Sequence, residues 1–234
     1  PLGGARPKSA VQDGDLLAIA KFPKPDDTRS VAHGEVLSLK LAEAAGITAA
    51  TARIENAAGR PVSIIRRFDR DGTKRIPFLS AMSLLGKNDG DQATYVDIAE
   101  VIRRHSRAPT DDLHELFRRI VFNVMISNHD DHLRNHGFLY DGDNQWRLSP
   151  AYDLNPVPAS ETDGLLETAI SDKGDEARLD LAIDAASHFK LTESEAEAIG
   201  DEVRSAVENW PKVAGLIGMS AADQKAYASA FKLD

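Results

Sequence analysis

A short polar segment at residues 128–136, NHDDHLRNH, concentrates the side chains that could do chemistry in this chain. It follows an apolar stretch that predicts a buried helix, and it precedes a predicted hairpin. Loops held by a rigid scaffold are where catalytic groups usually lie. Within the segment, Asp130 and Asn135 form the pattern D-x-x-x-x-N. The segment is therefore the first candidate for an active site.

The pair of Asp130 and Asn135 suits phosphoryl transfer. A carboxylate can accept the proton of an incoming hydroxyl, and a neutral amide oxygen can hold Mg²⁺ without placing a second charge beside that base. The catalytic loop of protein kinases has the same spacing. A chain of this length can show such a pattern by chance, so the interpretation needs support from other parts of the sequence.

Three other features stand in the order that such a site requires. Asp153 follows the predicted hairpin at 137–148 and is a second candidate metal ligand. Lys21 lies at the end of the apolar run 16–22, which predicts a buried strand, and is placed to pair with phosphates. The segment 3–8, GGARPK, is rich in glycine and contains two cations, so it is suited to covering phosphates.

The hydrophobic pattern predicts a mixed α and β first part followed by a helical second part. The predicted strands cover 16–22, 51–55, 62–68, 137–140, 145–148 and 165–170. The predicted helices cover 33–45, 78–85, 95–105, 113–125, 176–189, 193–208 and 221–231. A polar, glycine-containing stretch at 86–92 is the best candidate for a boundary between two lobes.

The composition excludes several classes of protein. The 234 residues include no cysteine, which rules out a disulfide framework and a cysteine-ligated metal site. No uncharged apolar run approaches eighteen residues, so we expect a cytoplasmic protein with no membrane partner. The formal net charge of −9 argues against direct binding of nucleic acid through the whole surface.

These motifs together resemble the C-terminal kinase region of the HipA family, the serine/threonine kinase toxins of bacterial toxin–antitoxin modules. The resembling pieces are in family order and span nearly the whole chain. They are GGARPK at 3–8, AKFP at 20–23, LAEAAGI at 41–47, RRFDRDG at 66–72, NHDDHLRNHGFL at 128–139 and LSPAYDLNPVP at 148–158.

The resemblance implies an α+β, protein-kinase-like fold with two lobes. A small mixed α/β lobe would cover 1–86, and a larger, mainly helical lobe would cover 87–234. ATP and Mg²⁺ would be the cofactors, with ATP in the cleft between the lobes. The reaction implied is transfer of the γ-phosphate of ATP to a serine or threonine hydroxyl of a protein.

The resemblance also implies a role for each matching residue. Asp130 would be the catalytic base, and His132 would brace the catalytic loop. Asn135 and Asp153 would hold Mg²⁺, and Lys21 would pair with the phosphates of ATP. Residues 66–68 would form the hinge that receives adenine, and Glu35 would pair with the lysine. The other cofactor-binding residues implied are Gly3, Gly4, Ala5, Lys8, Arg67 and Phe68.

The sequence departs from the general kinase pattern in two places. His129 precedes Asp130 where protein kinases have an arginine, and Asp153 is followed by Leu154 and Asn155 without a glycine. The second departure argues against a flipping switch at that position. By family analogy, the partners are a DNA-binding antitoxin and an N-terminal domain, missing or supplied by a separate chain, which the longer family members carry.

Two other functions remain compatible with the same residues. His129, Asp130, His132 and His136 could form a transition-metal site, as in a metal-dependent phosphohydrolase. Alternatively, the chain could be a non-catalytic nucleotide-binding module of a repressor complex, whose kinase residues only shape the fold. The kinase is favoured because Lys21, Asn135 and Asp153 follow one another along the chain in the family order.

Overall fold

The computed structural model describes residues 6–88 and 90–233. The predicted loop residues Gly3, Gly4 and Ala5 lie outside this range. Within the described part of the chain, no helix has the length and apolar character needed to cross a membrane.

A four-stranded antiparallel sheet with one helix forms the first part of the molecule. Its elements along the chain are β1 (Lys8–Asp13), β2 (Leu16–Lys21), α1 (Val31–Ala44), β3 (Ala52–Ala57) and β4 (Arg60–Arg66). The strand order is β1-β2-β4-β3. The strands predicted at 16–22, 51–55 and 62–68 and the helix at 33–45 are confirmed. Strand β1 was missed because KSAVQD is a polar edge strand without an apolar alternation.

Helix α1 is buried on almost every side. The side chain of Ser30 caps its first turn by accepting a hydrogen bond from the backbone N–H of His33. Val36, Leu37 and Leu41 are completely buried, and the helix packs against β3 and β4. A helix enclosed in this way holds its polar side chains in fixed positions relative to the sheet.

The chain then crosses to the second part through short strands. These elements are β5 (Arg70–Asp71), β6 (Lys74–Arg75), β7 (Phe78–Ser80) and α2 (Ala81–Leu84). The prediction of one helix over 78–85 is wrong in its first half, because Phe78 pairs with Leu139 of a strand far along the chain. The lobe boundary at 86 and 87 stays a prediction, although this pairing favours an earlier boundary.

Two buried helices and a hairpin carry the catalytic segment. They are α3 (Tyr95–His105), α4 (Pro109–Met125), β8 (Gly137–Tyr140) and β9 (Trp146–Leu148), as the hydrophobic pattern predicted. Thr94 and Asp97 form a capping box at the start of α3. In α4, the side chains of Leu116, Phe117 and Ile120 are fully buried, so the end of this helix is a rigid base for the loop that follows.

The C-terminal part is helical from residue 179 onward. Its helices are α5 (Leu179–Asp184), α6 (Glu193–Val207), α7 (Trp210–Leu216) and α8 (Ala221–Tyr227), with short 3₁₀ turns at Ala186–Phe189 and Ala228–Ala230. The predicted capping box of Thr192 and Glu195 opens α6. Helix α7, which begins beside Pro211, was missed. Helices α6 and α7 pack against α1 and complete its burial.

Two predictions for this region need correction. Residues 165–170 are not a strand: Leu165 and Ala169 form only single bridges, to Glu176 and Thr94. Leu166 and Ile170 are buried in the core beneath an irregular segment, Leu165 is exposed, and no partner strand runs beside these residues in the described part of the chain. The helix predicted over 176–189 is shorter, and it is broken between α5 and the 3₁₀ turn.

Candidate active site

The catalytic segment begins where helix α4 ends. Ser127 follows the helix with a φ of +50°, a left-handed conformation that turns the chain sharply out of the helix axis. Asn128 is buried, and its Nδ2 donates to Asn123 Oδ1 at 3.0 Å. This contact ties the first residue of the polar segment to the preceding helix, so the loop leaves the core in a fixed direction.

Asp130 projects outward from this anchored loop. Its side chain is 66% exposed, and its Oδ1 lies 3.8 Å from His132 Nε2. Partial desolvation raises the pKa of Asp130; the charge of His132 opposes this change, and the carboxylates of Asp153 and Glu167 add to it. An accessible carboxylate with a raised pKa has the properties of a general base for a hydroxyl.

Asn135 lies on the short 3₁₀ turn Leu133–Asn135. Its Nδ2 donates to the backbone carbonyl of Asp130 at 2.7 Å. This hydrogen bond fixes the orientation of the amide and leaves Oδ1 as the atom that can act as a ligand. The spacing of Asp130 and Asn135 therefore brings the side-chain amide of Asn135 onto the backbone of Asp130.

Asp153 reaches the same region from the segment after β9. Its φ is +56°, which is uncommon for a residue with a side chain and occurs at many functional positions. Asn155 Nδ2 lies 3.3 Å from Asp153 Oδ1. Desolvation alone would raise the pKa of Asp153, but the charge and hydrogen bond of Lys21 bring it below its usual range. Asp153 is thus ionised at neutral pH.

Lys21 links the sheet to the segment after β9 that bears Asp153. Its Nζ donates to Glu35 Oε1 at 2.5 Å and to Asp153 Oδ1 at 2.7 Å. Ser63 Oγ donates to the second oxygen of Glu35 at 3.3 Å. Desolvation opposes the charge of Lys21, but the two carboxylates outweigh it and raise the pKa of the ammonium group. The structure therefore gathers strand β2, helix α1 and the segment after β9 around one cation.

Lys8 and Phe68, two further predicted cofactor-binding residues, lie near this centre. Lys8 is part of β1 and not of a loop; it stands opposite Lys21 in the sheet, and its charge helps to lower the pKa of Asp153. Phe68 packs against the rings of Phe78 and Tyr152, with centroids 6.2 and 5.5 Å away. These aromatic rings give the predicted hinge, residues 66–68, an apolar surface.

Arg67 is engaged within the protein. Its guanidinium donates to both carboxylate oxygens of Asp69, at 2.7 and 2.5 Å. Its backbone N–H donates to the carbonyl of Leu17 at 2.9 Å. Phe68 is for this reason the better placed of the two predicted hinge residues for contact with a base.

A cleft of about 980 Å³ opens beside the catalytic segment. Asp130 and His132 line it, together with exposed residues such as Asp163 and Glu167. Lys21 and Asp153 are not among its lining residues. Asp130 thus lines the cleft and is also near enough to Asp153 and Lys21 for their charges to shift its pKa.

The histidines of the segment support the loop by contacts within the protein. His129 Nδ1 lies 2.6 Å from the carbonyl of Leu165, and His136 Nε2 lies 3.0 Å from the carbonyl of Asp131. Burial lowers the pKa of His136 to about 4. Among residues 6–88 and 90–233, no three His, Asp or Glu side chains are arranged to hold a metal ion. The transition-metal site therefore has no support in the described residues.

Sequence reasoning missed the buried partners of the catalytic segment. Asp131, which stood in the motif without a role, is buried, and Tyr95 Oη donates to its Oδ2 at 2.6 Å. Tyr95 is the first residue of α3, and the hydrophobic pattern marked it only as the start of a helix. No spacing in the sequence connects two residues so far apart.

The sheet with helix α1, the lysine–glutamate pair and the helical second part define a protein-kinase-like α+β fold, as the sequence predicted. The structure is similar to HipA of Shewanella oneidensis MR-1, solved with HipB and operator DNA. The TM-score is 0.82 at 16% identity, over 98% of this chain and 62% of that chain. The proinflammatory kinase CtkA of Helicobacter pylori matches with a TM-score of 0.66 and 16% identity, over 98% and 87% of the two chains.

The chain belongs to the family described as the HipA-like C-terminal domain, whose model matches residues 1–210. The resemblance to this family is thereby confirmed. Two similar proteins are "Putative kinase Y4mE" of Sinorhizobium fredii, 32% identical over 148 residues, and "Putative kinase" of Haemophilus influenzae, 26% identical over 154 residues. Each match covers 58% of this chain, and 33% and 45% of these two relatives, so the chain spans less than half of their length.

Proposed function

We propose that this chain is the catalytic part of an ATP- and Mg²⁺-dependent protein kinase that acts on serine or threonine hydroxyls. The observation that carries the proposal is the convergence of Lys21, Glu35 and Asp153 beside the loop that bears Asp130 and Asn135. Family membership and the kinase-like fold support it. Protein kinases need a lysine–glutamate pair and a metal-binding aspartate in place at the same time.

The donor atoms suit Mg²⁺ and a nucleotide triphosphate. Mg²⁺ prefers a few carboxylate and neutral oxygen ligands and completes its shell with water and phosphate. Asp153 offers an ionised carboxylate, and Asn135 offers Oδ1 because its Nδ2 is engaged by Asp130 O. Lys21 offers a charged ammonium group for phosphate oxygens. When bound, Mg-ATP supplies the phosphoryl group and neutralises the charge that develops on it.

The residues of this chain would then position the reactants and move one proton. Asp130, from the side of the cleft, orients the serine or threonine hydroxyl and accepts its proton as the new phosphate ester forms. Lys21, kept charged by Glu35, holds the phosphates in line with that hydroxyl. Most of the rate enhancement would come from positioning and from neutralisation of charge. His132, 3.8 Å from Asp130, would brace the loop.

The nucleobase would bind between the two lobes at the hinge. Phe68 with Phe78 and Tyr152 offers an apolar surface for adenine. Gly3, Gly4, Ala5 and Lys8 would cover the phosphates, as the family resemblance implies. The proposed lobes are residues 1–86 and 87–234, and the pairing of β7 with β8 connects them.

We further propose a bacterial toxin–antitoxin setting. The similar HipA was solved together with HipB and operator DNA. By analogy, this chain would work in the cytoplasm with a DNA-binding antitoxin, and with an N-terminal domain like the one in longer family members. A protein bearing a serine or threonine would be its substrate.

Isothermal titration with Mg-ATP tests the proposal. We expect wild-type protein to bind, Asp153→Ala to lose most of that affinity, and Asp130→Ala to bind normally but to lose transfer of phosphate. Asp201→Ala, which removes an exposed carboxylate from α6, is the matched control and should behave like wild type. No binding by the wild type, or unchanged binding by Asp153→Ala, would overturn the proposal. Binding without transfer to any protein would support the non-catalytic module.

A further inference from the structure

Asp131, the neighbour of the proposed base, is a buried carboxylate that the proposed reaction does not use. It is 1% exposed. Tyr95 Oη donates to its Oδ2 at 2.6 Å, and the backbone N–H of Thr168 donates to its Oδ1 at 3.2 Å. Both carboxylate oxygens are thus held, one by helix α3 and the other by the segment that leads into the core at 166–170.

The backbone of Asp131 is held as firmly as its side chain. Its carbonyl accepts a hydrogen bond from Thr168 Oγ1 at 2.7 Å. His136 Nε2 lies 3.0 Å from the same carbonyl, and burial keeps this imidazole neutral with its Nε2–H directed at the oxygen. The peptide unit between Asp131 and His132, one residue beyond Asp130, therefore has little freedom to move.

The direction of the hydrogen bonds selects a carboxylate at this position. Asn123 Nδ2 donates to Tyr95 Oη at 2.9 Å, so the tyrosine must direct its own O–H at Asp131. The N–H of Thr168 is a donor as well. In its ionised form Asp131 consequently faces two donors and accepts at both oxygens. An asparagine could accept at only one of them, and its amide N–H₂ would meet a donor at the other.

The same network extends to the proposed metal ligand. Asn123 Oδ1 accepts from Asn128 Nδ2 at 3.0 Å, and Asn128 Oδ1 accepts from the backbone N–H of Asn155 at 3.2 Å. Asn155 Nδ2 in turn donates to Asp153 Oδ1 at 3.3 Å. A continuous series of hydrogen bonds thus joins the residue beside the base to Asp153.

We propose that Asp131, held by Tyr95, is a positioning residue that fixes the backbone from which Asp130 projects and sets its place relative to Asp153. This inference rests on the proposed kinase function. Loss of the contact lets the loop that bears Asp130 shift, while Lys21, Glu35 and Asp153 keep the ion pairs that they form with one another. A displacement of about 1 Å at a reacting group can lower a rate on the order of 100-fold. Loss of Tyr95 Oη therefore lowers transfer more than it weakens the binding of Mg-ATP.

Tyr95→Phe and Asp131→Asn are the test variants, and Ser106→Ala is the matched control. Ser106 Oγ donates to the buried carboxylate of Asp112 at 2.6 Å, directly after the same helix α3. The control thus removes a hydroxyl from a buried carboxylate outside the site. The melting temperature of each protein is measured first. At a temperature below the melting range, we then measure the dissociation constant for Mg-ATP and the initial rate of transfer from [γ-³²P]ATP to proteins of a bacterial lysate.

We expect Tyr95→Phe to lower the rate of transfer about 10- to 100-fold at saturating Mg-ATP, with a dissociation constant within about threefold of wild type. Ser106→Ala should keep the wild-type rate. Amide hydrogen exchange over 128–136 should quicken in Tyr95→Phe and stay unchanged in the control. If Asp131→Asn does not fold, Tyr95→Phe alone decides the matter.

The outcomes separate this inference from the proposed function. A wild-type protein that transfers no phosphate refutes both. A wild type that transfers phosphate, with Tyr95→Phe and Asp131→Asn equally active, refutes only the positioning role. Equal losses of melting temperature in Tyr95→Phe and Ser106→Ala with unchanged rates would show a purely structural hydrogen bond and also overturn the inference.

Discussion

Lys21 is one buried cation between two carboxylates. This arrangement predicts that substitution of Lys21 lowers the free energy of unfolding by a different amount from substitution of Glu35. Its Nζ contacts Glu35 and Asp153 at 2.5 and 2.7 Å. Lys21→Met leaves two uncompensated carboxylates side by side, whereas Glu35→Gln leaves the neutral pair of Lys21 and Asp153. The lysine substitution should therefore destabilise the protein more.

The magnitude follows from burial. Breaking a buried ion pair by removing one partner costs about 3–5 kcal/mol. The side chain of Asp153 is 32% exposed, so water screens part of its charge, and we expect about 3 kcal/mol for Lys21→Met. Glu35→Gln keeps an oxygen that can accept from Lys21, and we expect about 1–2 kcal/mol, the cost of an imperfectly satisfied buried hydrogen bond.

Urea unfolding at pH 7.5, followed by circular dichroism, measures these free energies. Arg53→Met is the matched control, because Arg53 also lies between two carboxylates, Asp13 and Glu55, but on the exposed face of the sheet. It should leave the free energy of unfolding nearly unchanged. A cost for Glu35→Gln equal to or above that of Lys21→Met would refute the charge argument.

Three further predictions concern the loop and the packing around it. Burial raises the pKa of Asp131 to about 7, above its unfolded value near 3.8. The folded state therefore binds this proton more tightly than the unfolded state, and its stability falls as pH rises from about 4 to about 7; urea titrations should show the free energy of unfolding of wild type falling relative to that of Asp131→Asn over this range. Asn135→Ala removes the Oδ1 ligand and should weaken Mg-ATP binding at least tenfold by calorimetry, whereas unchanged affinity would exclude it as a ligand. Gly137→Ala places a methyl group 2.3 Å from Phe78 Cε2 and 2.7 Å from Ser149 Oγ, and should lower the free energy of unfolding by about 1–3 kcal/mol.

The features predicted from the sequence are those that local pattern determines. Asp130 and Asn135 lie on one short loop, so their spacing alone brings a side chain of one onto the backbone of the other. The buried helix before them follows from its apolar period, and the capping box of Thr192 and Glu195 follows from a four-residue motif. These predictions need no knowledge of which distant segments pack together.

The features that the sequence did not reveal depend on distant contacts. Phe78 joins a sheet because β8 lies beside it, and its own neighbours suggest a helix. Leu166 and Ile170 fill the core from an irregular segment, and the same apolar residues would also suit a strand. Tyr95 reaches Asp131 from a helix far away in the chain. The contact of Lys21 with Asp153 joins residues 132 positions apart, which no local pattern connects.

The most direct test of the central claim is transfer of label from [γ-³²P]ATP, in the presence of Mg²⁺, to protein hydroxyls. Purified wild type and Asp130→Asn are incubated with a bacterial lysate depleted of other kinase activity by heating, and the labelled amino acids are identified after acid hydrolysis. The account predicts phosphoserine or phosphothreonine with the wild type and almost none with Asp130→Asn, although both bind Mg-ATP. Equal labelling by the two proteins, or Mg-ATP binding by the wild type without any transfer, would contradict it.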